Sequence, residues 1–186
     1  MDAITLLKAD HKSVEKQFRA FESTTDRAKA TRSSAARTAV RELATHTALE
    51  EQIFYPAVEL EVPELGAELL RSLEAHHVVK WLCAELQSSS PDDDRFAAKM
   101  SLLIDNVRLH VEEEEADVFP FVREALGRRR LVEIGELVEK ARPLAPTHPH
   151  PRAPDTPPVN ALTGVVAGAF DMVRDMGQRL VGHLTP

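Results

Sequence analysis

Four stretches of the chain carry apolar residues at intervals of three and four, the spacing that places side chains on one buried face of an α-helix. Each stripe is interrupted near its middle by His, and in two of them Glu follows four residues later. The stripes are Ile4, Leu7, His11, Val14, Phe18 and Phe21; Leu43, His46, Glu50, Ile53, Ala57 and Leu60; Leu69, Leu73, His76, Val79, Cys83 and Leu86; and Phe96, Met100, Leu103, Val107, His110, Glu114 and Phe121.

Residues 1–142 are dominated by Ala, Leu, Glu, Lys and Arg, which are strong helix formers. No alternating run of β-branched residues bounded by turns occurs there. We therefore predict an all-α, up-down four-helix bundle. The predicted helices run from a cap at Asp2 to Glu22, over 34–61, over 63–87 and over 93–126, with a short fifth helix over 129–141.

The composition changes at residue 143, where seven of the twelve prolines of the chain begin to cluster. Residues 143–159 are therefore expected to form an extended linker without tertiary packing. Residues 160–186 return to an apolar stripe with gaps of three and four, which predicts a C-terminal amphipathic helix. Such a helix packs on the bundle or on another copy of the chain, so a homo-oligomer is possible.

Charge and cysteine content narrow the functional classes. The net charge of −7 argues against nucleic acid as the main partner, because phosphate binding needs a basic surface. No run of 18 apolar residues occurs, so no membrane partner is expected. The start of the chain lacks the basic and apolar regions of a signal peptide, and the single Cys allows no internal disulfide. These features predict a cytoplasmic protein.

The polar residues on the stripes predict a metal centre. Burying Glu50 and Glu114 without compensation costs several kcal/mol each, and no Lys or Arg lies on the same stripes. Four His and two Glu exceed the four ligands of a structural zinc ion. They suit two ions bridged by both carboxylates and by a solvent-derived oxide or hydroxide. Mixed imidazole and carboxylate ligation favours iron, with manganese or zinc as alternatives.

The chain also contains an internal repeat. His46, Glu50 and a following aromatic-Pro pair recur 64 residues later at His110, Glu114 and Val-Phe-Pro, and His11 recurs 65 residues later as His76. Each half therefore offers one His from its first helix and a His-x-x-x-Glu from its second. In a helix, residues four apart lie on the same face. We expect a pseudo-twofold bundle with two matched half-sites.

The order of these motifs resembles the hemerythrin-like (HHE cation-binding) family. The residues that carry the resemblance are His11, His46-x-x-x-Glu50, His76 and His110-x-x-x-Glu114, with Phe-Tyr-Pro and Val-Phe-Pro following. The resemblance covers residues 1 to about 126. It implies a four-helix bundle around a non-haem di-iron centre (Fe²⁺/Fe³⁺) that handles dioxygen, nitric oxide or peroxide. It also implies that these four His and two Glu are the iron ligands.

Two departures from the invertebrate oxygen carriers bear on function. The carriers use five His and an Asp at i+5 in the last helix, whereas this chain has four motif His and Glu114 at i+4. Fewer imidazoles leave the irons more open to reaction, which argues against oxygen storage alone. The chain is therefore expected to react with a small oxidant (H₂O₂, O₂ or NO), and catalase-like peroxide decomposition is the candidate reaction. The alternative is an oxygen, nitric oxide or iron sensor or storage module without turnover.

Several neighbours of the ligands have alternative roles. His77 competes with His76 for the ligand position, and Tyr55 could reach the metals if Pro56 kinks the helix. Glu51 and Glu115 directly follow the ligand Glu residues and are expected to face solvent. No catalytic residue can be assigned from the sequence.

Overall fold

The computed structural model describes residues 1–25 and 27–153, and this part of the chain contains helices and no strands. The prediction of an all-α fold is confirmed. The predicted C-terminal helix over 160–186 and the second half of the predicted linker lie outside the described residues. The α-helices are α1 (Ala3–Glu22), α2 (Lys29–Leu49), α3 (Tyr55–Glu61), α4 (Gly66–Ser88), α5 (Phe96–Glu113) and α6 (Phe119–Ala141).

These α-helices form four long members of a bundle, and non-helical backbone at Gly127 (φ 68°) interrupts α6 just before the predicted short fifth helix over 129–141. A π-helical turn over Glu50–Phe54 joins α2 to α3, and a second over Glu114–Val118 joins α5 to α6. α1 packs against α2, α4 packs against α5, and α1–α6 and α2–α4 contacts close the bundle. The chain therefore runs up and down through a hemerythrin-like four-helix arrangement, as predicted.

The first residues of the helices depend on local hydrogen bonds as well as on the apolar stripes. The side chain of Asp2 accepts a hydrogen bond from the backbone N–H of Thr5 at 2.9 Å, so the predicted cap of α1 is present. α2 begins at Lys29, before the predicted start at 34. α5 begins at Phe96 instead of 93, because Asp93 lies in a turn and accepts a hydrogen bond from the backbone of Arg95.

The two π-helical turns change which residues face the core. In each turn a backbone N–H bonds to the carbonyl oxygen five residues earlier, from Tyr55 to Glu50 and from Phe119 to Glu114. The wider turn adds one residue, so the buried stripe moves by one position beyond it. The prediction that Leu60 and Phe121 are in the core is wrong, since they are 80% and 46% exposed. Val58 and Val122 are buried instead.

The interior is divided into two apolar clusters. One is formed by the N-terminal part of α1 with α3, the start of α4 and α6, and it includes Leu7, Phe54 and Ile134. The other is formed by the C-terminal parts of α1 and α4 with the N-terminal parts of α2 and α5, and it includes Phe18 and Met100. The two clusters share no residue. Polar side chains occupy the layer between them, described below.

Residues 143–153 differ from the predicted unpacked linker. After α6 a 3₁₀ turn spans Arg142–Leu144, and the chain then lies along the bundle. The hydroxyl of Thr45 in α2 donates a hydrogen bond to the carbonyl oxygen of Pro146 at 2.9 Å, and His148 is 8% exposed. A Pro-rich composition thus does not prevent packing here. Among the described helices, none combines the length and apolar character needed to cross a membrane.

Candidate metal centre

The six residues proposed as ligands converge in the polar layer between the two apolar clusters. α1, α2, α4 and α5 each contribute one His, and the first residue of each π-helical turn is one of the two Glu. All are buried, with exposed fractions of 6% or less. The residues in this layer are His11, His46, Glu50, His76, His110 and Glu114.

The histidines form two pairs, one in each half of the pseudo-twofold bundle. The Nε2 atoms of His11 and His46 are 3.2 Å apart, and those of His76 and His110 are 3.1 Å apart. The rings of each pair cross nearly at right angles, at 74° and 75°. Each helix hairpin therefore presents two ring nitrogens to a common point.

The two carboxylates connect the histidine pairs. Oε2 of Glu50 lies 3.1 Å from Nε2 of His46 and 3.2 Å from Nε2 of His76. Oε2 of Glu114 lies 3.5 Å from Nε2 of His11 and 4.0 Å from Nε2 of His110. Each Glu therefore contacts one His of each pair.

A second pair of carboxylates holds the outer nitrogens of two histidines. Oε1 of Glu115 lies 2.9 Å from Nδ1 of His11, and Oε1 of Glu51 lies 3.1 Å from Nδ1 of His76. An ionised carboxylate only accepts hydrogen bonds, so Nδ1 is the donor in both contacts. With that proton fixed on the outer nitrogen, the lone pair of Nε2 points into the cluster. This is the arrangement that metal-binding histidines require.

A lysine neutralises each of these outer carboxylates. Lys80 of α4 lies 3.0 Å from Oε1 of Glu51, and both side chains are buried, at 9% and 7% exposed. Lys8 of α1 lies 2.9 Å from Glu115 in a more open setting, at 38% and 32% exposed. The prediction that Glu51 faces solvent is wrong, and Glu115 is only half exposed. The π-helical turns rotate both residues towards the imidazole of the neighbouring helix.

Burial and pairing shift the pKa values of the central groups in opposite directions. Burial acts to lower the pKa of His46, but Glu50 and Asp10 raise it to about 10. Burial acts to raise the pKa of Glu50, yet contacts with His46 and His76 hold it well below its ordinary value. Burial and the adjacent Glu50 raise the pKa of Glu114 well above its ordinary value. The site therefore needs additional positive charge before both carboxylates ionise.

Tyr55 lies beside the cluster on the side of the carboxylates. Its Oη donates a hydrogen bond to Oε1 of Glu114 at 3.1 Å and lies 3.4 Å from both Oε2 of Glu50 and Nε2 of His76. Burial, followed by the charges of the two Glu, raises the pKa of Tyr55 well above its ordinary value. The π-helical turn, rather than a kink at Pro56 alone, carries the phenol to the site.

His77 lies away from the cluster. Its Nε2 accepts a hydrogen bond from the indole N–H of Trp81 at 3.1 Å, and Trp81 is 41% exposed. Of the two adjacent histidines, the structure brings His76 to the centre. Cys83, predicted to be a small buried residue, is 1% exposed.

The donor set fits a pair of metal ions. The candidate ligand atoms fall into two groups, and within each group all of them lie within 4.8 Å of one another. One group is formed by His11, His46 and Glu50, and the other by Glu50, His76 and His110. The two groups share Glu50. Within the described part of the chain, Oε1 of Glu50 and the buried Oε2 of Glu114 accept no hydrogen bond. Buried carboxylate oxygens without donors are expected where a cation supplies the missing interaction.

Comparison with known families agrees with this geometry. The model of the hemerythrin HHE cation binding domain matches residues 2–122. The chain belongs to this family. The matched region begins before α1 and ends within α6, so it contains all four histidines and both carboxylates of the cluster. This hemerythrin HHE domain is therefore a metal-binding domain with a His and Glu cluster at its centre.

Two individual proteins resemble the chain over most of its length. An uncharacterised hemerythrin-like protein of Schizosaccharomyces pombe is 29% identical over 171 residues, which cover 91% of this chain and 83% of that protein. A crystal structure of a hemerythrin HHE cation binding domain-containing protein from Mycobacterium kansasii superimposes with a TM-score of 0.63 at 19% identity. That match covers 76% of this chain and 85% of the other. The structural likeness shows the fold.

Sequence reasoning missed the residues that support the ligands. Glu51 and Glu115 hold ring nitrogens, and Lys80 and Lys8 hold those carboxylates in turn. Asp10 lies 3.5 Å from Nδ1 of His46 and is itself paired with an Arg after α6. One signal was available, because the Glu-Glu doublet recurs in both halves at the same offset as the ligands. No comparable signal marks the two lysines, which occupy unrelated positions in the repeat.

Proposed function

We propose that the cluster binds two iron ions and that the protein reacts with a small oxidant, H₂O₂, O₂ or NO. In this proposal His11 and His46 hold one ion and His76 and His110 hold the other. Glu50 and Glu114 are shared between them. The single observation that carries the proposal is that Glu50 belongs to both groups of converging ligand atoms.

The His and Glu residues of the cluster would hold iron, since imidazole and carboxylate ligands suit it, and the bound metal would supply redox chemistry. The chain contributes position, charge and proton control. Glu51 and Glu115 fix the tautomers of two histidines, so that neutral Nε2 atoms face the centre. Tyr55 holds a proton at its Oη, 3.1 Å from Glu114. The two apolar clusters limit bulk water on either side.

The space beside the histidines suits a very small ligand. A cavity of about 10 Å³ lies between the four imidazoles and an apolar wall that includes Val14, Leu43, Val79 and Val107. This volume is about that of one water-sized molecule. Both carboxylates and Tyr55 are absent from its lining. A diatomic gas or peroxide therefore matches the cavity better than an organic substrate does.

Catalase-like decomposition is the proposed reaction. One peroxide is reduced to two waters, a second is oxidised to O₂, and the two protons released by the second are consumed by the first. The alternative is reversible ligand binding in a sensor or storage protein. The apolar lining of the cavity favours this alternative, because apart from imidazole and Thr47 it offers no group that can donate a proton.

Peroxide turnover distinguishes the two functions. Iron-loaded protein is mixed with H₂O₂, and dissolved O₂ and residual peroxide are followed together. Release of one O₂ for every two peroxides, lost in the His110→Ala variant, supports the enzyme. Reversible nitric oxide binding without peroxide consumption supports the sensor. If the iron-loaded protein neither consumes peroxide nor binds nitric oxide, the proposed function is wrong.

A further inference from the structure

The two halves of the bundle differ at their seams, which are the lines along which two neighbouring helices meet. By the internal repeat, the seam between α1 and α5 corresponds to the seam between α4 and α2. At the α2–α4 seam the helices pack directly, and the buried ion pair of Lys80 with Glu51 crosses it. Among the described residues, packed side chains and this desolvated ion pair occupy the seam beside His76.

The α1–α5 seam contains a groove of about 620 Å³ instead. Its floor includes Val14, Phe18, Val107 and Val111, and its inner end is His11. The repeat explains part of the difference, since the residue corresponding to Val111 is Thr47, which is 3% exposed in the packed seam. The α2–α4 seam also holds a space, of about 280 Å³ between the start of α2 and the end of α4, but no residue of the His and Glu cluster lines it. The larger α1–α5 groove, in contrast, reaches His11.

The side chain of Arg108 connects the two helices at the outer edge of this groove. Its guanidinium reaches from α5 to two carboxylates of α1, at 3.0 Å from Oε2 of Glu15 and 2.8 Å from Oε2 of Glu22. These pairs connect the two helices across the outer edge of the groove, and the Arg108 side chain is 40% exposed. Charged residues of both signs thus surround the mouth, and the floor beneath them is apolar.

The groove and the small cavity beside the imidazoles meet at the same residues. His11, Val14, Val107 and Val111 line both spaces. Val14 and Val107 are 2% and 5% exposed, and Val111 is half-buried. The three valines are therefore the partition between solvent and the candidate ligand cavity.

We propose that small uncharged oxidants reach the metal centre through the α1–α5 groove, and that Val14, Val107 and Val111 form the constriction that limits their size. The inference rests on the proposed function and adds a route to it. The apolar floor favours neutral molecules such as O₂, NO or H₂O₂ over anions. Rotation of the valine side chains opens the constriction. The cavity beyond it accommodates only a water-sized molecule.

The route predicts a specific kinetic effect of narrowing the constriction. In the Val111→Trp variant of the iron-loaded protein, association and dissociation of nitric oxide both slow by at least tenfold, while the equilibrium constant changes less than twofold. A barrier on a path slows both directions equally, whereas a change at the binding site alters the equilibrium. Stopped-flow absorbance gives the association rate, and a scavenger of released nitric oxide gives the dissociation rate.

Leu109→Trp is the matched control, because Leu109 lies on the same helix and is 55% exposed outside the groove. It leaves both rates unchanged. If Val111→Trp fails to fold or to bind metal, Val111→Ala replaces it and accelerates both rates. Unchanged rates in the valine variants, or equal slowing by Leu109→Trp, overturn the route.

Xenon provides a readout that needs no redox chemistry. Crystals of the wild-type protein under xenon pressure are expected to show xenon against Val14, Val107 and Val111, and crystals of Val111→Trp are expected to lose it. If the wild-type protein neither consumes peroxide nor binds nitric oxide, the proposed function fails, and xenon then decides the route alone. Xenon at another seam and none here contradicts the route.

Discussion

Tyr55 and Phe119 occupy matching positions in the two halves of the bundle, and only Tyr55 brings an oxygen atom to the cluster. Each is the first residue after its π-helical turn. The Tyr55 ring stacks on His76 with centroids 5.5 Å apart, and the Phe119 ring stacks on His11 at 5.9 Å. The two halves therefore share a framework but differ by one hydroxyl group, which makes the two proposed metal positions chemically unequal.

Replacing Tyr55 by Phe removes that difference. We expect Tyr55→Phe to keep the full metal content, because the six converging ligands remain, and to change the optical spectrum of the iron-loaded protein. Loss of the hydrogen bond to buried Glu114 lowers the free energy of unfolding by about 1–3 kcal/mol. Phe119→Tyr is the matched variant in the other half. An unchanged spectrum in Tyr55→Phe would exclude a role of the phenol at the metals.

The adjacent histidines of α4 supply a control for ligand loss. His76→Ala removes a buried ring that contacts His110, whereas His77→Ala removes a ring that contacts Trp81 at the surface. We expect His76→Ala to lose at least one metal ion per chain and His77→Ala to retain both. Elemental analysis of the purified variants measures this directly. Metal loss in His77→Ala alone would reverse the assignment of ligands on α4.

Lys80, which is buried, is expected to contribute more to the free energy of unfolding than Lys8, which is partly exposed. Lys80→Met leaves Glu51 as a buried charge without its lysine partner, which costs about 3–5 kcal/mol. Lys8→Met breaks a partly exposed pair, which costs less than about 1 kcal/mol. Urea denaturation at equal metal content compares the two variants. Similar losses in both would show that burial does not distinguish the pairs.

Metal uptake is expected to release protons. In the metal-free protein the pKa of His46 is about 10, so it holds a proton at neutral pH, and the raised pKa of Glu114 means that this carboxyl holds its proton more tightly than a free one. Bound metal displaces them, and apparent affinity therefore rises with pH, by about tenfold per pH unit for each proton displaced. Without metal, protonated His46 stabilises the fold fully below pH 6.5, and this contribution is lost as pH rises through 10.

Ferrous titrations between pH 6 and 8, with a pH indicator in weak buffer, measure both the affinity and the released protons. Binding that becomes weaker as the pH rises, or that releases no proton, would contradict this account of the cluster.

The sequence predicted the convergence of the candidate ligands better than it predicted the residues around them. Period-3.6 stripes predicted that His11, His46, His76 and His110 lie inside the bundle, because residues before the turns follow regular α-helical geometry. A π-helical turn shifts the apolar stripe by only one residue, and the short stretches beyond Glu50 and Glu114 fit either phase. The assignment of Leu60 and Phe121 to the core has this cause.

The supporting contacts depend on tertiary structure. Glu51 directly follows a ligand, and regular α-helical geometry places it on the solvent side. Its burial results from the widened turn and from Lys80, which comes from another helix. The groove beside α1 is equally unpredictable from periodicity, since Val14 and Val107 read as ordinary core residues. Their proposed role at the constriction follows only from the spacing between α1 and α5, which Arg108 connects.

Metal content tests the central claim most directly. The protein is purified after expression with ample iron, and its metals are measured together with its absorption spectrum. The account predicts about two iron ions per chain and a charge-transfer band in the near ultraviolet. A single zinc ion, or no metal in a folded protein with the same helix content, would contradict it.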